Sequence, residues 1–114
     1  MKKLYIFIFV LVFYSSFAHP PSKIKFDYNL NEKSVSIDIE HKVKDAKDHY
    51  IDVIEIYLNQ KLIITQKSSE QLTSEIQKYQ FLIPELKEND KIVIIAKCNK
   101  FGDMKREFII KNNK

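Results

Sequence analysis

The chain has 114 residues and a formal net charge of +4, with 19 lysines and arginines and 15 acidic residues mixed along its length. This weak and evenly spread charge argues against nucleic acid as a partner, and the length allows one ordinary domain. A single cysteine, Cys98, cannot close a disulfide within the chain, so it is expected to be a buried thiol, an intermolecular bridge or a ligand.

The first 18 residues have the pattern of a secretory signal peptide. Two lysines precede an apolar run over residues 4–14, and the small residues Ser16 and Ala18 stand where a signal peptidase needs them. The run is shorter than the roughly 20 residues of a membrane-spanning helix. We therefore predict cleavage after Ala18, export to the periplasm or the medium, and a mature domain over residues 19–114 without a membrane span.

Apolar residues alternate with period two through the mature part, which predicts β-strands. In chain order the predicted strands are residues 24–28, 35–39, 50–58, 62–65, 77–83, 92–98 and 108–110. The third has a phase slip near Val53 and Ile54, typical of a β-bulge, and Asn59 and Gln60 offer a tight turn after it. Residues 68–74 are expected to form a loop or an edge strand. Seven short strands in one domain predict an all-β antiparallel sandwich.

Three histidines and the thiol are the side chains of the mature part with the strongest metal-binding chemistry. His41 follows the strand at residues 35–39 and His49 begins the next strand, so the two imidazoles flank one loop and can converge on a metal. Cys98 also ends a strand, so a sandwich that gathers these strand ends on one rim would present all three. Taken singly, such a histidine is usually only hydrogen-bonded, and a thiol in phase with buried isoleucines is usually core packing.

The segments "EHKV", "HYIDVIEIYLNQKLI" and "KCNKFGDM" resemble the iron-binding domain of superoxide reductases, the desulfoferrodoxin and neelaredoxin family. The resemblance covers about residues 35–104, and the positions that match in order are His41, residues 49–51, Cys98, Asn99 and Gly102. It implies an immunoglobulin-like sandwich and a non-haem iron site with His41, His49 and Cys98 as ligands. Gly102 would give the ligand loop a backbone conformation that other residues resist.

Several positions depart from the family pattern. The family holds iron with four histidines and an axial cysteine, but Phe101 stands where the last histidine belongs, and Met104 replaces a common tryptophan. The segment "HPPSKIKF" has no counterpart of the family's Glu-Lys-His, and the loop between the two histidines is longer and lacks a proline. At most three ligands therefore carry over. The loss is expected to shift the reduction potential and lower the activity.

His19 is a candidate replacement for the missing ligand. Cleavage after Ala18 would make it the first residue, with a free α-amine and an imidazole for one metal, and Pro20 and Pro21 would stiffen the new terminus. The alternative is an ordinary residue of a frayed terminus.

Three functions are consistent with these residues. The first is an exported iron-binding redox domain that resembles superoxide reductase and receives electrons from a redox partner protein. The second is a metal-free immunoglobulin-like binding or structural module, in which Phe101 fills the former site as a core residue. The third is a copper-binding electron carrier, with Met104 as a weak thioether ligand beside two imidazoles and a thiolate. The sequence contains no recognisable hydrolase motif. It gives no indication of the oligomeric state.

Overall fold

A computed structural model describes residues 19–112, and the predicted signal peptide lies outside the described residues. The strands are β1 (Lys23–Asn29), β2 (Ser34–Glu40), β3 (Ile51–Leu58), β4 (Lys61–Lys67), β5 (Ile76–Leu82), β6 (Lys91–Cys98) and β7 (Asp103–Ile109). Residues 19–112 contain no helix, and hence no candidate for a membrane-crossing helix. The seven predicted strands are confirmed, and residues 68–74 form a loop.

The largest difference from the sequence prediction is the start of β7, which begins at Asp103 and not at residue 108. Its inward positions pair with buried residues of β6, but one of them is Arg106, which lies opposite Ile94 and is exposed. A charged residue at an inward position of an edge strand interrupts the alternation. The pattern therefore predicted only the end of this strand.

The strands form two antiparallel sheets, with the orders β1-β2-β5 and β4-β3-β6-β7. This is the predicted β-sandwich. Isoleucine dominates the core between the sheets: Ile24, Ile37, Ile39, Ile51, Ile54, Ile56, Ile83, Ile92, Ile94 and Ile110 are buried. β-Branched side chains are stiff and pack well on a pleated surface. The same isoleucines therefore favour the strand conformation and fill the core between the sheets.

Strand β3 carries the predicted bulge and ends in the predicted turn. Its register against β6 shifts between Ile51 and Val53, and the buried positions change phase there from Ile51 to Ile54. At the other end Asn59 and Gln60 have φ angles of 48° and 74°, which is the geometry of a two-residue hairpin turn that follows the twist of the strands.

One end of the sandwich collects the segments that matter for the site. β2 ends at Glu40, β6 ends at Cys98 and β3 begins at Ile51, which pairs with Cys98. Beyond β2, the backbone N–H of His41 still donates to Glu75 O at 2.9 Å, so the chain stays attached to the loop before β5. This rim therefore draws on both sheets.

Candidate metal centre

His41, His49 and Cys98 meet at this rim, and their ligand atoms lie within 4.8 Å of one another. His49 Nε2 is 2.9 Å from Cys98 Sγ, and the rings of His41 and His49 are perpendicular with centroids 4.7 Å apart. Both histidines are buried, and Cys98 is half-buried. The structure thus brings together the three side chains that the sequence singled out, whereas metal binding by them stays a prediction.

The loop before β3 holds His49 in place through Asp45. The carbonyl oxygen of Asp45 accepts hydrogen bonds from the backbone N–H groups of Asp48 at 3.1 Å and His49 at 2.9 Å. Burial lowers the pKa of His49, and the nearby His41, His19 and Lys100 lower it further, against an opposing effect of Asp48. His49 is therefore biased toward its neutral form, in which a ring nitrogen has a lone pair for a metal.

Asn99 joins the cysteine loop to the start of β3. Its backbone N–H donates to Tyr50 O at 3.0 Å, its Oδ1 accepts from Tyr50 N at 2.9 Å, and its Nδ2 donates to Asp48 O at 2.9 Å. These bonds fix the residue after Cys98 to the residues on either side of His49. The backbone N–H of Lys100 also donates to Cys98 Sγ, at 3.4 Å.

Gly102 closes the cysteine loop, since its carbonyl oxygen accepts from the Cys98 N–H at 3.0 Å. Its φ of +90° confirms the backbone conformation that the resemblance implied. The structure adds a second reason for glycine, because a Cβ at this position would lie 3.0 Å from Cβ of Pro20. The segment after the predicted cleavage site therefore packs directly on the loop between Cys98 and Gly102.

His19 lies beside the site and does not extend away from it. Its ring centroid is 5.0 Å from that of His41 and 5.4 Å from that of His49. Its ring nitrogens face backbone oxygens, Nε2 toward Lys42 O at 2.7 Å and Nδ1 toward Pro20 O at 3.0 Å. The atom of His19 that enters the site is its carbonyl oxygen, 3.0 Å from His41 Nε2.

Gln71 is a neighbour of the site that the sequence did not reveal. Its side chain is buried, and its Oε1 accepts a hydrogen bond from Nδ1 of His41 at 2.8 Å. Gln71 belongs to the polar loop over residues 68–75, and no sequence pattern there distinguishes it from the other polar residues of the loop. Only the folding of this loop against the end of β2 brings it to His41.

The expectation that Phe101 fills a former metal site as a core residue is wrong, because 69% of its surface is exposed. The tight loop between Cys98 and Gly102 turns its side chain outward, so Phe101 neither packs in the core nor offers a ligand. Met104 pairs with Ala96 and packs against the hydrophobic core. A thioether in that position gives no support to a copper site.

No protein-family model and no curated protein matches the sequence. Among solved structures, a superoxide reductase (1Fe-SOR) from Giardia intestinalis aligns with a TM-score of 0.60 and 18% identity, over 81% of this chain and 97% of that one. A superoxide reductase (neelaredoxin) from Ignicoccus hospitalis aligns with a TM-score of 0.57 and 17% identity, over 80% of each chain. Residues 19–112 therefore have the fold of superoxide reductases, the family that the sequence resembles.

Proposed function

We propose that the protein is an exported iron-binding redox domain that resembles superoxide reductase, with His41, His49 and Cys98 as ligands of a non-haem iron. The observation that carries the proposal is the meeting of these three side chains, within 4.8 Å, in a domain with the superoxide reductase fold. The leader sequence supports export to the periplasm or the medium.

The chemistry of the three donors fits iron. Imidazole and thiolate groups both bind first-row transition metals, and three protein ligands leave coordination positions open for a substrate. The lowered pKa of His49 favours the neutral imidazole that a metal requires. Since the exposed Phe101 adds no ligand, we expect weaker iron retention and lower activity than a complete five-ligand site would give.

Bound ferrous iron would supply one electron to superoxide, which takes up two protons and leaves as hydrogen peroxide. The chain itself would hold the iron and attract the anionic substrate. Lys42 and Lys47 are exposed in the loop between the two histidines, whereas Lys100, two residues after Cys98, is exposed but forms an ion pair with Asp48 at 3.4 Å. Their positive charge around the site would raise the local concentration of superoxide, and a redox partner protein would return the electron.

We also propose His19 as a replacement for the missing ligand. Its ring already contacts both other imidazoles, with centroids 5.0 and 5.4 Å away. To bind the same metal its Nε2 would exchange the Lys42 carbonyl for the metal. Cleavage after Ala18 would add the α-amine of His19 as a further donor.

To test the proposal, the protein is isolated from its own cell envelope without oxygen and loaded with ferrous iron. Its metal content and its visible spectrum are then measured. We expect one iron per chain and a thiolate-to-iron charge-transfer band after oxidation. The mass of the intact protein should be that of a chain that starts at His19. Cys98→Ser and His49→Ala should lose the band, whereas Tyr28→Phe, at the other end of β1, should keep it. Protein that retains no iron and shows no band would refute the proposal.

A further inference from the structure

His41 is fully buried, and both of its ring nitrogens have polar neighbours. Nδ1 faces Oε1 of Gln71 at 2.8 Å, and Nε2 faces the carbonyl oxygen of His19 at 3.0 Å. A buried imidazole in such a setting has its orientation and its tautomer decided by these neighbours. Whether Nδ1 carries a hydrogen therefore depends on which atom Gln71 presents.

The backbone fixes the orientation of the Gln71 amide. Its Nε2 lies 2.7 Å from the carbonyl oxygen of His41 and 2.9 Å from that of Thr73. Both neighbours can only accept, so the atom between them must be the NH₂ group. Reversing the amide would place an oxygen against two oxygens in a buried position, which costs the desolvation of unpaired groups. The other amide atom, facing His41, is therefore the carbonyl oxygen.

An amide oxygen accepts hydrogen bonds and cannot donate them, so His41 must carry a hydrogen on Nδ1. With Nδ1 held by Gln71, Nε2 is the ring nitrogen left to bind a metal, and to do so it must first give up its contact with the carbonyl oxygen of His19. The main-chain N–H of Gln71 also donates to Ala46 O at 2.9 Å, within the loop that joins the two histidines. The same residue thus braces the loop and orients the ring.

We infer that Gln71 is a positioning residue of the candidate metal site, which holds His41 with hydrogen on Nδ1, so that Nε2 is the nitrogen that exchanges the His19 carbonyl oxygen for a metal. Its effect on metal affinity rests on the function proposed above. Its effect on His41 does not, because the hydrogen bond belongs to the protein without metal. Metals are commonly bound by histidines whose other nitrogen donates to an oxygen acceptor, and the loss of that acceptor weakens binding.

The matched pair of variants is Gln71→Met and Gln77→Met. Gln77 is also a buried glutamine that braces this loop, with Oε1 accepting from Leu72 N at 3.0 Å, but it has no bond to His41. In nitrogen-15 spectra of the metal-free protein, wild type and Gln77→Met should show a slowly exchanging hydrogen on His41 Nδ1. Gln71→Met should lose it. Nδ1 without hydrogen in wild type, or protection retained in Gln71→Met, would overturn the inference.

The second measurement is cobalt(II) affinity, followed through the thiolate-to-cobalt absorption. Gln71→Met should weaken binding about 10- to 100-fold, and Gln77→Met should stay within about threefold of wild type. Gln71→Glu keeps an acceptor oxygen toward Nδ1 but sets its other oxygen against the carbonyl oxygens of His41 and Thr73, so it should recover the Nδ1 hydrogen and only part of the affinity. If Gln71→Glu resembles Gln71→Met, the backbone contacts of the amide decide the effect and the inference is wrong. Wild-type protein that binds no cobalt would refute the proposed function, while the nitrogen-15 result would still decide the role of Gln71.

Discussion

Gly102 has two reasons to be a glycine, and both act on the loop that carries Cys98. Its φ of +90° is a conformation that side chains with a Cβ rarely adopt, and its missing Cβ makes room for Pro20. The same loop is closed by the hydrogen bond from Cys98 N to Gly102 O. A change at this residue is therefore expected to affect both the stability of the loop and the position of the sulfur.

Gly102→Ala should lower the free energy of unfolding by about 1–3 kcal/mol, because an alanine is strained in this backbone conformation and crowds Pro20. Urea titrations of wild type and variant measure the difference. In the double variant with Pro20→Gly the contacts with Cβ and Cδ of Pro20 are removed, but its backbone nitrogen at 3.1 Å and the backbone strain remain, so only part of the loss should return. Equal stability of Gly102→Ala and wild type would contradict this account, and Pro20→Gly alone is the control.

At the level of elements, strand β3 is aligned by a bulge at one end and a turn at the other. The register shift between Ile51 and Val53 lets Ile51 lie opposite Cys98 while Ile54 and Ile56 remain buried. At the other end the turn requires a positive φ at Gln60. A glutamine is an unfavourable residue there, since the two-residue turn with both φ angles positive favours glycine after asparagine.

Gln60→Gly should raise the free energy of unfolding by about 0.5–1 kcal/mol, because glycine adopts the observed φ of 74° without a steric penalty. Gln66→Gly is the matched control, since Gln66 lies exposed within β4 and glycine there should cost about 0.5–1 kcal/mol. Thermal unfolding followed by circular dichroism compares the two. A Gln60→Gly variant less stable than wild type would show that the side chain of Gln60 contributes more than its backbone strain costs.

Across the whole molecule, the candidate centre lies where the two sheets and the N-terminal segment come together. His41 follows β2 of the three-stranded sheet, whereas His49 precedes β3 and Cys98 is the last residue of β6, both strands of the four-stranded sheet. A metal bound by all three would link the sheets at one end. Because the unfolded chain does not hold these residues together, such a metal would bind the folded state preferentially and stabilise it.

Metal should therefore raise the melting temperature, with a stabilisation of about 2.7 kcal/mol when free metal is 100 times the dissociation constant. Calorimetry with ferrous iron under anaerobic conditions, or with cobalt(II), measures it. The increase should disappear in Cys98→Ser and persist in Tyr28→Phe, which is remote from the rim. Identical melting curves of the wild-type protein with and without metal would exclude a metal that links the two sheets.

Local patterns determined the strands, because alternation, β-branched residues and turn chemistry act between near neighbours in the chain. They predicted the bulge near Val53, the turn at Asn59 and the strand ends at which His41, His49 and Cys98 lie. They could not predict the start of β7, where Arg106 interrupts the alternation of an edge strand.

The surroundings of the three candidate ligands were decided only by the tertiary structure. Gln71 reaches His41 across 30 positions of sequence, and His49 meets Cys98 across 49. The contact between Pro20 and Gly102, the entry of the His19 carbonyl and the exposure of Phe101 likewise follow from how loops of distant segments pack on one rim. Periodicity gives the face on which a side chain lies, whereas its partner depends on which strand ends the sandwich places together.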